Sequence, residues 1–315
     1  MQPSAARQVA WCVLLAASLF GACCRGSGPA PAPTPPLRAT AASTAVAAAH
    51  QSAAPEPSES PPPKPPDVTP PAPVLRADAP MVALDVVGHG DAVVSLPLGA
   101  SEPRPVVLAT HGNYDTPEWQ CEIWRQIVAN DAFVLCPRGI PRSDSPSRSD
   151  LRYEYASRGA LEKEIDAAFE ALRARYSGFV DDGPRIFTGF SLGAIMGASI
   201  ILRNPAKYPR AVLIEGGNRV WNVPTARAFA QKGGQGILFA CGQWDCVNRS
   251  RAAGRALQQA GVVWQVLFAK GEGHTYGGRV AEQIHDTFAW LVQGDPRFRA
   301  ALARRQAGAQ SAPPD

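Results

Sequence analysis

The sequence predicts an α/β domain that follows a long N-terminal segment of different composition. After residue 80, short β-rich runs alternate with helical runs, and several strands end in glycine-containing turns. Before residue 80 the chain is rich in Ala and Pro and poor in large apolar residues. Hydrophobic residues make up 45% of the chain, which is ordinary for a packed globular protein. Alternating strands and helices imply a mostly parallel central sheet covered by helices on both faces.

The individual elements are predicted from hydrophobic periodicity. In the longest helix, for example, Leu161, Ile165, Phe169 and Leu172 recur at helical spacing. The first two strands lie close together and favour an antiparallel pair at one edge. The domain is expected over 81–295, followed by a C-terminal tail over 296–315. The strands are predicted at 82–87, 92–96, 105–110, 132–136, 185–190, 211–215, 236–241 and 262–269, and the helices at 119–130, 160–176, 192–203, 225–231, 248–259 and 280–293.

Residues 1–23 are typical of an export signal. An apolar run from Val9 to Phe20 is followed by small residues and cysteines, and it is too short to span a bilayer, which needs about 20 apolar residues. The stretch from Leu19 to Cys23 resembles a bacterial lipobox, although Phe20 stands where Leu is usual. We therefore expect an exported lipoprotein, lipidated on Cys23 and held at the cell surface or in the periplasm, with free secretion as the alternative.

Residues 24–80 are predicted to be a disordered Ala/Pro-rich linker. The segment lacks the large apolar residues that would offset the entropy of ordering a chain, and its prolines favour semi-extended conformations. The formal charge of the whole chain is only +4, and no run of Lys or Arg occurs. A nucleic-acid partner is therefore not expected, because it would need a clustered basic face. A membrane partner is expected only through the lipid anchor, and the sequence leaves the oligomeric state open.

Four cysteines lie in the predicted domain, and their even number agrees with export. Cys241 and Cys246 flank one loop, whereas Cys121 and Cys136 lie on neighbouring elements. These positions favour disulfides 121–136 and 241–246, with buried free thiols as the alternative. The spacings do not resemble a zinc site, and no metal or cofactor is expected.

The segment Gly189-Phe190-Ser191-Leu192-Gly193 matches G-x-S-x-G between a predicted strand and a predicted helix. A tight turn at that junction would leave the Ser191 hydroxyl free above the sheet, and small neighbours would let strand and helix pack closely. Ser191 is therefore the candidate nucleophile. The alternative is a glycine-rich turn without a catalytic role.

A serine nucleophile needs a base, and the base needs an orienting acid. His274 lies in a loop between the last strand and the last helix, whereas His285 lies inside that helix, so His274 is the candidate base. Asp245 follows the preceding strand and is the candidate acid. Asp245 as a helix N-cap is the alternative, with Glu215 as the rival acid.

Further motifs occur in the order found in one superfamily. A His-Gly pair at His111 precedes the serine turn, which is followed by the Gly-x-x-Asp loop of Asp245 and the Gly-x-Gly-His loop of His274. Over about residues 82–294 the chain resembles the α/β-hydrolase superfamily, nearest its carboxylesterase, thioesterase and dienelactone-hydrolase-like members. The resemblance implies an oxyanion hole built from the backbone N–H groups of Leu192 and Asn113, with His111 structural.

The resemblance implies a serine hydrolase that cleaves a small-molecule ester or thioester through an acyl-enzyme on Ser191. A serine peptidase on the same scaffold, or an idle surface-binding lipoprotein that kept the fold, are the alternatives. Dienelactone hydrolases proper use a cysteine nucleophile, and this chain has a serine. Three residues are weaker candidates for lining the substrate pocket, namely Arg138, Trp221 and Trp244.

Overall fold

The computed structural model describes residues 73–311. The predicted signal segment with Cys23, and the predicted linker as far as residue 72, lie outside the described residues. The strands are β1 Met81–Leu84, β2 Ala92–Ser95, β3 Val106–Thr110, β4 Phe133–Cys136, β5 Ile140–Pro141, β6 Tyr153–Glu154, β7 Ile186–Phe190, β8 Arg210–Ile214, β9 Gly236–Cys241 and β10 Val263–Phe268. The helices are α1 Pro117–Val128, α2 Arg158–Arg175, α3 Leu192–Arg203, α4 Val223–Gln231, α5 Trp244–Gln259, α6 Gly278–Leu291 and α7 Arg299–Ser311, with a 3-10 turn at Pro296–Phe298.

Eight strands form one sheet in the order β1-β2-β4-β3-β7-β8-β9-β10. The pairs β1–β2 and β2–β4 are antiparallel, and the remaining neighbours are parallel. The predicted mostly parallel sheet with an antiparallel edge is therefore confirmed. The strands β5 and β6 form a separate two-stranded hairpin inside the long connection that follows β4.

Each face of the sheet is buried under its own set of helices. Leu108 and Phe187 pack in one core with residues of α2, α3, α4 and α5, whereas Val107 and Ile186 pack in the other with α1 and α6. Alternate residues of a strand point to opposite faces, and here both faces are apolar because both are covered. The carboxyl ends of the parallel strands consequently meet at one open edge, where ligands bind in sheets of this type.

The structure refines three boundaries of the predicted elements. Leu75 is buried and its backbone pairs with Gly99 and Ala100, so ordered packing begins before residue 81. α5 begins at Trp244 rather than at residue 248. The C-terminal tail contains α7, and Phe298 and Ala301 are buried against the domain. Among residues 73–311, no helix has the length and apolar character needed to cross a membrane.

Candidate active site

Ser191 occupies a strained turn at the point where β7 passes into α3. Its backbone has φ 48° and ψ −110°, a region that residues other than glycine rarely adopt. The turn is tightly packed, because a Cβ on Gly189 would lie 2.7 Å from Thr110 Oγ1 and one on Gly193 would lie 2.5 Å from the Thr110 carbonyl oxygen. The two glycines are therefore required by close approach, as the G-x-S-x-G pattern predicts.

His274 reaches Ser191 from the loop between β10 and α6. Its Nε2 lies 2.9 Å from Ser191 Oγ, within hydrogen-bond distance, although the two residues are 83 positions apart. The imidazole packs against the ring of Phe190, with 4.9 Å between ring centroids. About half of the His274 side chain is exposed, so the pair is accessible from solvent.

Glu215 stands on the other side of the imidazole, directly after β8. Its Oε2 lies 3.5 Å from His274 Nδ1, and its side chain is only 2% exposed. The second oxygen, Oε1, accepts hydrogen bonds from the backbone N–H groups of Gly242 and Gln243, at 2.5 and 3.1 Å. Glu215 also has a positive φ of 51°, which turns the chain sharply at the end of the strand.

Among the described residues no hydrogen bond or ion pair joins Asp245 to His274, and the carboxylate beside the imidazole is that of Glu215 instead of the expected Asp245. α5 begins at Trp244, so Asp245 lies in its first turn, where a carboxylate is favoured by the helix dipole. There it forms an ion pair with Arg249 one turn later, with 2.6 Å between Asp245 Oδ2 and the Arg249 guanidinium nitrogen. Two thirds of the Asp245 side chain is exposed, whereas Glu215 is buried at the imidazole.

The two N–H groups expected to form an oxyanion hole belong to Leu192, which begins α3 directly after Ser191, and to Asn113, in the loop that follows β3. The Gly193 N–H donates to the His111 carbonyl at 3.1 Å, which fixes α3 against the loop after β3. Within the part of the chain that the structure describes, the N–H groups of Leu192 and Asn113 donate to no protein acceptor. The Asn113 side chain is held by Arg142, whose Nη1 donates to Oδ1 at 2.8 Å.

His111 is fully buried and has a structural environment, as expected. Its ring nitrogens lie 2.7 Å from the Gly112 carbonyl oxygen and 2.8 Å from the Arg138 carbonyl oxygen. The imidazole stacks on Tyr155, whose hydroxyl accepts from the His111 N–H. These contacts hold the loop that carries Asn113.

A hydrogen bond that the sequence analysis missed links the two loops of the site. The Tyr276 hydroxyl donates to Asp115 Oδ1 at 3.1 Å, which joins the loop of His274 to the loop of Asn113. Asp115 also accepts from the N–H groups of Gly112 and Thr116.

Burial raises the pKa of Asp115, and these hydrogen bonds only partly offset that increase. Burial and the neighbouring Asp115 carboxylate also raise the pKa of Tyr276, so the phenol remains a donor. No local pattern marks this pair, because the residues are 161 positions apart.

The cysteines pair as predicted, Cys121 with Cys136 and Cys241 with Cys246, with Cα–Cα distances of 5.8 and 5.7 Å. The second disulfide closes the short segment that contains Gly242 and Gln243, the two residues that donate to Glu215. Glu215, Cys241 and Cys246 also form a group close enough to hold a metal. Sulfurs bonded in a disulfide do not supply the thiolate ligands that such a site needs.

Two depressions meet at His274 and approach it from different sides. The first, which we call the arginine cavity, has a volume of about 490 Å³ and is lined by Arg158, Arg219, Arg249 and Glu215 among others. The second, which we call the aromatic groove, has a volume of about 690 Å³ and is lined by Tyr114, Trp119, Phe190 and Tyr276 among others.

The three weaker pocket candidates from the sequence line neither depression. Arg138 is paired with Glu118 and lines a separate cavity beside the β5–β6 hairpin. Trp221 is buried against Phe229. Trp244 is exposed on α5 and packs against Phe268.

No protein-family model matches the chain, and no curated protein matches its sequence. Solved structures match its fold at low identity. A fluorophosphonate-binding serine hydrolase of Staphylococcus aureus is 11% identical with a TM-score of 0.49, covering 68% of this chain and 97% of its own. An S-formylglutathione hydrolase from Agrobacterium tumefaciens is 14% identical with a TM-score of 0.49 (68% and 94% covered), and a Bacillus cereus carboxylesterase is 18% identical with a TM-score of 0.45 (64% and 93% covered).

The topology of the chain itself assigns the fold. With this strand order and with a serine on the turn after the fifth strand of the main sheet, residues 73–311 have the α/β-hydrolase fold.

Proposed function

We propose that the protein is a serine hydrolase in which Ser191 is the nucleophile, His274 the general base and Glu215 the residue that orients the imidazole. The observation that carries this proposal is the line of contacts from Ser191 Oγ to His274 Nε2 and from His274 Nδ1 to Glu215 Oε2. A hydroxyl is a weak nucleophile, and a base within hydrogen-bond reach, itself held by a third group, is what activates it. Glu215 takes the place that the sequence analysis gave to Asp245.

In the first half of the reaction, Ser191 Oγ attacks the acyl carbonyl carbon while its proton passes to His274 Nε2. The carbonyl oxygen becomes an oxyanion, for which the N–H groups of Leu192 and Asn113 are the proposed donors. The carbon–oxygen or carbon–sulfur bond then breaks, and His274 returns the proton to the departing alcohol or thiol. In the second half, His274 deprotonates a water molecule, which attacks the acyl-enzyme and releases the carboxylic acid with Ser191 restored.

Glu215 has two separate tasks in this scheme. Its Oε2 accepts from Nδ1–H, which keeps the imidazole in the tautomer whose Nε2 is free to take the serine proton. The same carboxylate stabilises the imidazolium that forms during attack. The N–H groups of Gly242 and Gln243 hold Oε1 and so fix the direction in which Oε2 points.

An ester or thioester is the proposed substrate class, with a peptide amide as the alternative on the same triad. Labelling with a fluorophosphonate probe tests whether Ser191 is the nucleophile. A matched panel of ester, thioester and anilide substrates shows which type of bond is cleaved. We expect the wild type to be labelled and to hydrolyse the ester and thioester, and Ser191→Ala to do neither while keeping its melting temperature. Equal labelling of Ser191→Ala would overturn the proposal. An unlabelled wild type with a native melting temperature would favour the idle binding lipoprotein.

We also propose that the chain is exported and anchored through lipidated Cys23. The two disulfides support an oxidising compartment, because structural disulfides persist there and are rare in the reducing cytosol. Mass spectrometry of the mature N-terminus tests the anchor. A diacylglyceryl-modified Cys23 is the expected first residue, and an unmodified N-terminus within the linker would mean free secretion instead.

A further inference from the structure

The arginine cavity carries positive charge directly beside the proposed catalytic residues. Arg158 comes from the first turn of α2, Arg219 from the loop after β8 and Arg249 from α5, and all three line the same cavity as His274 and Glu215. These residues are far apart in the sequence, and only the fold brings them to one cavity. The cavity therefore places positive charge next to His274 and Glu215, where one part of an ester bound at Ser191 would lie.

The acidic residues of the same cavity are already engaged. Asp245 is paired with Arg249 at 2.6 Å. Glu215 is occupied by two backbone N–H groups and by His274. In contrast, Arg158 and Arg219 are exposed and form no ion pair with any other residue of the described range. Two guanidinium groups are thus left without an acidic partner in a concave site.

The other side of His274 has a different character. The aromatic groove is lined by Tyr114, Trp119, Phe190 and Tyr276, and its acidic members, Asp115 and Glu122, are bound by Tyr276 and Arg125. A substrate that spans both depressions would meet an apolar, aromatic surface on one side of the scissile bond and unpaired cations on the other. Arginine is well suited to the second task, because its planar fork matches the oxygens of a carboxylate or a phosphate.

We infer that the arginine cavity binds an anionic group of the substrate, so that the enzyme acts on esters that carry a carboxylate or a phosphate near the scissile bond. The inference rests on the proposed function, and it names the substrate class of that same site. Arg158 and Arg219 are the residues that recognise the anion. Arg249 contributes less, because Asp245 already neutralises it.

The test compares an anionic ester with a neutral ester of nearly the same shape. One pair places the charge in the acyl part, p-nitrophenyl hemiadipate against its methyl ester. A second pair places the charge in the leaving group, the butyrate of 4-hydroxybenzoate against the butyrate of its methyl ester. The quantity measured is the ratio of kcat/KM for the anionic and the neutral ester, with the Ser191→Ala rate subtracted as the blank. The pair that shows the effect identifies the side of the scissile bond that enters the cavity.

We expect Arg158→Gln and Arg219→Gln each to lower this ratio about three- to tenfold, and the double variant to lower it further, because each removes one charge partner of the anion. Added salt should lower the wild-type ratio, because it screens exposed charges. Arg227→Gln is the matched control, since Arg227 is an exposed arginine on α4 that does not line the cavity, and it should leave the ratio unchanged. Competition by adipate and by inorganic phosphate at one ionic strength distinguishes a carboxylate from a phosphate as the preferred group.

Two negative outcomes have different meanings. If the wild type hydrolyses the neutral esters and the double variant has the same ratio as Arg227→Gln for both pairs, the arginine cavity does not select anions and the inference is overturned. If the wild type hydrolyses none of the four esters, the inference is overturned, and fluorophosphonate labelling of Ser191 then shows whether the proposed function stands without it or fails as well.

Discussion

Glu215 lies on the side of the His274 imidazole opposite Ser191, with 3.5 Å between Glu215 Oε2 and His274 Nδ1. The distance is long for a hydrogen bond, and contacts of this kind commonly tighten when substrate is bound. Because β8 is the neighbour of β7 in the sheet, a residue at the end of β8 lies next to the serine turn. The pairing of Ser191 N–H with the Ile214 carbonyl at 2.9 Å fixes that proximity.

The first prediction separates Glu215 from Asp245. In Glu215→Gln, the amide oxygen should stay on the N–H groups of Gly242 and Gln243, which turns the NH₂ group toward His274 Nδ1. That arrangement favours the tautomer whose Nε2 carries a proton and cannot accept one from Ser191. We therefore expect kcat for ester hydrolysis to fall at least about a hundredfold.

Asp245→Asn is the control for this substitution, because it also removes one carboxylate near the site. It disrupts only an exposed ion pair with Arg249, so kcat should remain within about twofold of the wild type. Steady-state kinetics with a neutral p-nitrophenyl ester measures both. A large loss of kcat in Asp245→Asn together with a small loss in Glu215→Gln would show that Asp245 is the orienting acid during turnover.

The proposed nucleophile and base are the same in the sequence and in the structure, because each is tied to a local pattern. Ser191 has the small neighbours that a strand-to-helix turn requires, and His274 is the histidine that follows the last strand. The sheet and its antiparallel edge were predictable for the same reason, since the apolar runs and helical spacings are local. Both features survive errors of one or two residues at the ends of elements.

The sequence and the structure favour different acids, because the assignment depends on where one helix begins. From the sequence, α5 is predicted to start at residue 248, which leaves Asp245 in a loop, but α5 begins at Trp244. Apolar spacing does not mark this start, because the exposed residues Trp244, Asp245 and Asn248 surround the buried Cys246 and Val247. The contact between Tyr276 and Asp115 could not be inferred at all, since it joins two loops that only the sheet brings together.

The second prediction concerns the two disulfides, which should have different effects. Replacing Cys241 and Cys246 by serine should lower kcat about tenfold or more, because it frees the segment whose N–H groups hold Glu215. Its stability cost is smaller, at about 2 kcal/mol for so short a closed loop. Kinetics and thermal unfolding of the same preparation measure the two effects.

Replacing Cys121 and Cys136 by serine is the matched control. This disulfide links α1 to β4 across 15 residues, so its loss should cost about 3 kcal/mol of stability while kcat changes little below the melting temperature. Equal losses of kcat in the two double variants would contradict a positioning role for the Cys241–Cys246 disulfide.

The third prediction concerns the bridge between the two loops of the site. Tyr276→Phe removes the hydrogen bond to Asp115 and keeps the ring, which packs against Phe190. We expect kcat to fall about three- to tenfold, because His274 and Asn113 lose their common support, while KM for a small neutral ester changes less. Tyr114→Phe is the control, since the Tyr114 hydroxyl donates only to the exposed Asp144 carbonyl. A change in KM alone would show that Tyr276 contacts the substrate instead of positioning the catalytic loops.

The last prediction concerns the loss of stability in acid. Asp295 is buried between Arg210 and Arg297, with ion-pair distances of 3.3 and 2.7 Å. Burial by itself would raise the pKa of Asp295, but the hydrogen bonds and charge of Arg297, together with Arg210, outweigh it and lower the pKa. A carboxylate whose pKa is lowered by folding stabilises the folded state at pH values above its unfolded pKa of about 3.9. That stabilisation is lost as the pH falls through the lower, folded pKa.

We therefore expect Asp295→Asn to be less stable than the wild type by about 2 kcal/mol at pH 7, where the variant leaves two partly buried arginines without their acid. The difference should stay constant down to about pH 5 and close below pH 4, as the wild type also loses its charge. Urea unfolding at pH 7, 5, 4 and 3, with the disulfides intact, measures it. Asp286→Asn serves as the control, because Asp286 is exposed and pairs only with His285, and it should change stability little at any of these pH values. A difference between Asp295→Asn and the wild type that grows as the pH falls would have the wrong sign and would show that Asp295 does not stabilise the fold as a carboxylate.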